Sequence, residues 1–212
     1  QCCLVGSEMC IRDRCNNNIE IIGPKKKVDA LIEGAKKGQF LDTLRPMPKA
    51  LRNTESTSDE EVMKKQPWVE GHNNWYSWAC SEWGTKWECD IYDGSIKEQE
   101  ELFGPDDGDK KVEFGFDSAW SPPLTAIEHY LRENNDMSIR LVYYEPGCDF
   151  MGVYEDFDDR CYQPSEDAPS STSDFWKTED GKLIDQYMNC VENLEMWEEE
   201  QMEEAKQGYG AN

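Results

Sequence analysis

Val112-Glu113-Phe114-Gly115-Phe116 places apolar side chains at every second position, and Ser138-Ile139-Arg140-Leu141-Val142-Tyr143-Tyr144 does the same. A period of two is the signature of a strand. Between them, Ala119-Trp120-Ser121-Pro122-Pro123 turns the chain, and Ile127, Tyr130 and Leu131 follow at helical spacing. Ser121 is the expected N-cap, with Pro122 at the first helical position. Asn134-Asn135 ends the helix. The stretch therefore predicts a strand, a helix and a second strand, which is half of a small α/β sandwich.

The same grammar extends outward. Asn17 to Ile22 predicts a first strand, closed by Gly23-Pro24. Val28, Leu31, Ile32 and Ala35 fall at i, i+3, i+4 and i+7, one apolar helix face. Lys36, Lys37 and Gly38 supply a cationic last turn and a C-cap. Phe40 to Leu51 holds Phe40, Leu41, Leu44, Met47 and Leu51 around Pro46 and Pro48, which predicts an ordered loop over the core. In the polar segment 52–65, Ser58 and Glu61 have capping-box spacing. Trp75, Trp78 and Ala79 predict a short helix ending near Gly84. Trp87 to Tyr92 is a further strand, joined to Val112–Phe116 by a long loop from Asp93 to Lys111. After Glu145-Pro146-Gly147, Asp149 to Tyr154 returns as a fifth strand. The order is β-α-β-β-α-β plus one strand, so the expected fold class is α+β: a ferredoxin-like split β-α-β with an antiparallel sheet and helices on one face. Residues 15–155 form this expected domain. Residues 156–174, with Pro164, Pro169 and four consecutive Ser/Thr, are an expected linker. Residues 175–212 are an expected acidic amphipathic helical tail, with Leu183, Tyr187, Cys190, Val191, Leu194 and Trp197 on one stripe.

Charge narrows function. The 212 residues carry a net charge of −23, and the last 68 hold 19 acidic against 4 basic residues. Such a field opposes direct binding to nucleic acid or anionic lipid. No apolar run reaches the ~20 residues of a membrane-spanning helix. Eight Trp, nine Tyr and seven Phe compensate for a hydrophobic content of 37%, because each aromatic buries a large area. The nine cysteines show no C-x-x-C pair and no zinc spacing; they read as free thiols in a reducing compartment. Neither a metal nor another cofactor is expected.

The candidate site is an aromatic corner. Trp83-Gly84-Thr85-Lys86-Trp87 brackets a lysine between two indoles, and Trp120 supplies a wall. Trp83, Lys86, Trp87 and Trp120 can form a cage for an anion or a flat ligand; alternatively they pack a sheet corner while Lys86 reaches to water. Glu145 sits at a strand end beside Gly147, as a general base or as a turn-stabilising carboxylate. Asp117, Ser121 and His129 do not make a triad, since Ser121 reads as a cap. His72 reads as a loop residue. Asp106-Asp107-Gly108-Asp109 lacks the twelfth-position acid of a calcium loop.

Arg14-Cys15-Asn16-Asn17 with Ile19 to Gly23, Pro46-Met47-Pro48, Trp83 through Trp87, Phe116 through Pro123, and Glu145-Pro146-Gly147 through Gly152 resemble, in order, the motifs of the YubB-type family of plasmid and bacteriophage proteins. The match covers roughly residues 15–155. Arg14 stands where that family carries tryptophan, and the tail after 175 has no place in its pattern. The resemblance implies a ferredoxin-like domain, a mobile-element origin and a bacterial cytoplasmic location, and brings no catalytic residues. Residues 1–14 resemble the translated remnant of a sequencing adapter and are expected to be disordered.

Together these readings favour a non-enzymatic interaction module that binds a protein or small ligand through the aromatic corner, its partner an unidentified host or element-encoded protein. The alternative is an acidic decoy whose C-terminal helix imitates nucleic acid and inhibits a host DNA- or RNA-binding protein. An enzyme around Lys86 and Glu145 is a third reading, without a visible nucleophile–base pair. The C-terminal stripe must bury on its own domain or on a second copy, as a homodimer.

Overall fold

The computed structural model describes residues 14–99 and 108–208. The long strand β1 (Arg14–Pro24) lies inside the sheet, with β4 (Asp109–Ala119) on one side and β5 (Ser138–Glu145) on the other, both antiparallel to it. The sheet is open and mixed with helices in an α+β arrangement. Its order is β2 (Asp90–Ile91), β4, β1, β5, β6 (Phe150–Glu155), β7 (Asp158–Tyr162), and β3 (Lys97–Gln99) also pairs with β4. Every pairing is antiparallel. Helix α1 (Lys25–Lys36) leads away from β1, and α5 (Leu124–Glu133) carries the chain from β4 to β5 across β1.

Alternation decides what faces inward. Ile19, Ile21, Val112, Phe114, Phe116, Ile139, Leu141 and Tyr143 point to one face, where Val28, Leu31 and Ile32 of α1 and Ile127 and Leu131 of α5 cover them. Phe40 and Leu44 of the short helix α2 (Phe40–Leu44) and Trp78 of α4 (Trp75–Glu82) complete this core. Phe40 stands edge-on to Phe114 at 5.2 Å. The prolines at 46 and 48 follow α2, so the expected loop begins with one helical turn.

Several expectations are corrected. Among the described residues the sheet has seven strands, not five: β3 lies within the expected loop 93–111, and β7 lies within the expected linker. Asp158–Tyr162 is a polar edge strand, and Arg160 anchors it to Asp180 at 2.8 Å. Helices cover both faces rather than one. On the second face Val142, Met151 and Val153 bury against Ile184 and Cys190, with Phe175, Trp176 and Tyr187 packed around them. The single expected tail helix is two, α7 (Glu179–Met188) and α8 (Cys190–Gly208), broken at Asn189, whose φ of 50° lies in the left-handed region. Between β7 and α7 come α6 (Pro164–Asp167) and a 3-10 turn at Asp174–Lys177. In the polar segment 52–65, Asp59 rather than Ser58 caps α3 (Glu60–Met63), accepting the Glu61 N–H at 2.9 Å. Arg14 is part of β1, paired to Asp90 at 2.9 Å; the rest of the expected remnant lies outside the described residues, as does the acid pair at 106–107. No helix among the described residues is long and apolar enough to cross a membrane.

Candidate functional site

Two loops build the corner. One leaves α4 through Gly84, Thr85 and Lys86; the other leaves β4 through Trp120, Ser121 and Pro122. They are stitched by side chains: the Thr85 hydroxyl donates to the Ala119 carbonyl at 2.8 Å, and the Ser121 hydroxyl to the Gly84 carbonyl at 2.6 Å. Ser121 is thus not the cap of α5. Pro123 occupies the position before Leu124, and the hydroxyl joins the loops instead. Gly84 has φ 80°, and a side chain there would press on Thr125, so only glycine suits both backbone and space.

Trp120 is the strained member. The Ser121 N–H donates to the Ala119 carbonyl at 2.9 Å, and Trp120, between them, has φ 67°. This is a γ-turn with positive φ, a conformation that costs a bulky residue on the order of 1–3 kcal/mol. The turn holds the indole outward, 41% exposed. Trp87 is 48% exposed on the facing loop. The Lys86 ammonium lies between them, 4.5 Å from the Trp87 ring centre and 4.8 Å from that of Trp120. Tyr76, on α4, adds a third ring at 5.8 Å. Sequence reasoning missed Tyr76, although its place on the helix before the Trp83–Trp87 run was the available signal. Lys86 makes no ion pair among the described residues, so ring faces alone steady its charge.

The other two candidates belong elsewhere. Trp83 is buried to 6% exposure, stands edge-on to Trp78 at 5.4 Å, and donates its Nε1–H to the Arg45 carbonyl at 2.8 Å. It is the floor beneath the loop, not a wall of the cage. Glu145 is 1% exposed at the end of β5 and accepts the Gly147 N–H at 2.8 Å. It also helps raise the buried Cys15 thiol above the usual range, after the larger effect of burial. Its observed role is that of a turn carboxylate. Trp68, 72% exposed, lies outside the core altogether.

Glu88 was not anticipated. Its carboxylate accepts the backbone N–H groups of Leu41 and Asp42 at the start of α2, tying the segment between the corner and β2 to that helix. Burial pushes its pKa up to about 7, against the opposing pull of those two donors. His72 hydrogen-bonds Ser77 at 2.8 Å, next to α4. Among the described residues no cluster of three His, Cys, Asp or Glu is placed to hold a metal. Cys15, Cys89 and Cys190 are buried free thiols.

Comparison with protein-family models, curated proteins and solved structures found no match to this chain.

Proposed function

We propose that this protein is a non-enzymatic interaction module that engages a partner protein through the corner formed by Lys86, Trp87, Trp120 and Tyr76. One observation carries the reading: in a chain with 45 acidic residues, Lys86 stands among aromatic rings without an ion-pair partner among the described residues. Its ammonium is held in place but not neutralised. A partner's carboxylate beside an apolar side chain suits such a surface, the carboxylate meeting Lys86 and the apolar group meeting the half-exposed indoles. The strained Trp120 turn supports the same reading, because packing alone gives no return for holding an indole outward at a positive φ.

The finer fold reading is ferredoxin-like. It is supported by the order β2-β4-β1-β5, in which the path from β1 to β2 spans β4 and the path from β4 to β5 spans β1. β3, β6, β7 and the C-terminal helices are additions under this reading. The resemblance to YubB-type proteins agrees with it, since the Trp83–Trp87 and Phe116–Pro123 motifs supply the two stitched loops. A mobile-element protein acting in the bacterial cytoplasm, with a host or element-encoded partner, is the setting that resemblance implies.

The test is quantitative capture from bacterial lysate with four baits: the full chain, Lys86→Ala, Trp120→Ala, and α8 with Glu199, Glu200 and Glu203 changed to glutamine. A protein lost with the first two variants and kept by the third supports the corner. One lost only with the α8 variant favours the acidic decoy, whose supporting feature is the run of glutamates along α8. Equal capture by every bait refutes both.

A further inference from the structure

The central strand breaks a local rule. Asn16-Asn17-Asn18 lies within β1, and asparagine is depleted in strands because its amide competes with the ladder. Such a conflict in the middle of a sheet calls for a reason at each position.

Asn17 has a structural one. It faces the core and spends its amide inside, donating to the Cys15 carbonyl at 2.7 Å and to Ser118 Oγ at 2.9 Å. Asn16 faces the second side and donates to Asp117 at 2.8 Å and to the Tyr92 hydroxyl at 3.0 Å. Asn18 makes no side-chain hydrogen bond among the described residues. It lines a groove of about 370 Å³ on the second face, between the β4–β1 half of the sheet and the α7–α8 junction.

The groove has a consistent chemistry. Gly115 stands opposite Asn18 in the register. A Cβ on Gly115 would lie 2.6 Å from the Tyr92 ring, so the missing side chain is what lets that ring lie on the sheet beside Asn18. Tyr144 and Tyr187 bring two more rings to the groove. Glu113 offers carboxylate oxygens, one of them 3.3 Å from the Tyr187 hydroxyl. Among the described residues lining the groove the cation is Lys97, largely exposed and 3.9 Å from Glu113, so these residues leave no positive charge in surplus for a phosphate or carboxylate. An amide, phenolic hydroxyls and a carboxylate around ring faces can satisfy several hydroxyl groups at once while the rings cover C–H faces. The volume lies within the ~300–1,000 Å³ range of small-molecule sites.

We infer that this groove binds an uncharged carbohydrate of one or two sugar units, with Asn18 and Glu113 bonding its hydroxyls and Tyr92 and Tyr187 covering its ring. The site is separate from the aromatic corner and does not depend on it.

Saturation-transfer NMR on the full chain tests this with three sets of probes. The first is neutral sugars (glucose, galactose, mannose, N-acetylglucosamine, maltose, cellobiose and lactose). The second is charged sugars (glucuronate and glucose 6-phosphate), and the third is the nucleosides adenosine and guanosine. At least one neutral sugar should receive saturation, and its affinity should fall at least tenfold in Asn18→Leu and in Glu113→Gln. Trp87→Ala should leave it unchanged. Tyr187→Phe, which keeps the ring and removes only a hydroxyl, should weaken binding less than Asn18→Leu; it guards against reading a folding defect as a lost contact. No signal from any neutral sugar, stronger binding of the charged sugars or nucleosides, or binding indifferent to Asn18→Leu would each overturn the assignment.

Discussion

Glu88→Gln should stabilise this protein at pH 8 and do almost nothing at pH 5. The carboxyl of Glu88 is buried with a pKa pushed up to about 7, burial outweighing the backbone N–H donors of Leu41 and Asp42. The folded state therefore holds a proton here between about pH 4.5 and 7 that the unfolded chain has released. Because the folded state binds more protons, stability from this group falls as pH rises through that window and is level above it. At about 1.4 kcal/mol per pH unit, the charged form costs the fold up to roughly 3 kcal/mol by pH 8. Glutamine removes that cost. It still accepts the Leu41 N–H but turns an amide NH₂ toward the Asp42 N–H, 3.2 Å from the present oxygen, a loss of about 1 kcal/mol. The net gain at pH 8 is roughly 2 kcal/mol, or about 4–8 °C in Tm for a chain of this size. Urea unfolding of both proteins at half-unit steps from pH 5 to 8 measures the difference directly, because every other titrating group is shared. A variant that is less stable than the parent, and increasingly so toward pH 8, would show that the two N–H donors dominate burial and that the charge belongs there.

The remaining predictions concern other parts of the molecule. Asp180 accepts from Arg160 at 2.8 Å and from Tyr162 at 2.6 Å, and Arg160 holds its carboxyl below the usual range; Asp180→Asn should cost about 1.5–3 kcal/mol in urea unfolding at pH 7. The stability due to this pair is present above the usual carboxylate range and lost as pH falls through the depressed value, so the variant's deficit should shrink toward pH 3. Trp120→Gly should leave Tm unchanged or raised, since relief of about 1–3 kcal/mol of backbone strain opposes the loss of a half-exposed ring, while partner capture is lost. Phe40→Ala, which empties a fully buried site against Phe114 and Phe116, should cost about 3–5 kcal/mol in the same unfolding assay.

The readable parts of the sequence were those where one periodicity dominated. Ile19 and Ile21, the Val28 to Ala35 helix face, and Val112 to Phe116 each bury one side only, and their alternation names that side. The second face was harder to see, yet β5 carried the signal. Val142 and Tyr144 are apolar at the opposite parity to Leu141 and Tyr143, and Met151 and Val153 repeat the pattern in β6. A strand apolar on both parities is covered on both faces, so a helix had to lie there. β7 was illegible because an edge strand needs little apolar content. At the corner, the spacing of Trp83, Lys86 and Trp87 was visible, but the floor and the wall were not distinguishable. That depended on Thr85 and Ser121 bonding across the loops, a long-range arrangement with no local pattern. Ser121-Pro122 fits a helix start equally well, and the tertiary bond to Gly84 decided otherwise.

What separates structural from functional polarity in this molecule is whether the polar group has been spent. Lys110, although buried, reaches Asp29 and Glu98 at 2.6 and 2.7 Å, and Glu20 lies between Lys111 and Arg140 on the second face. Asn17 exhausts its amide on its own neighbours. These groups are explained by the partners they already have. Lys86 and Asn18 are the opposite case, each placed by its surroundings without an ion pair or side-chain hydrogen bond among the described residues. Selection for stability alone favours a β-branched residue in place of Asn18, worth up to about 1 kcal/mol, and glycine in place of Trp120. Retaining asparagine in a central strand and tryptophan in a positive-φ turn therefore costs stability at two places whose side chains both face outward, toward a groove in one case and beside a held cation in the other. At these two positions the cost falls on outward-facing side chains, which is what a binding role predicts and what core packing does not.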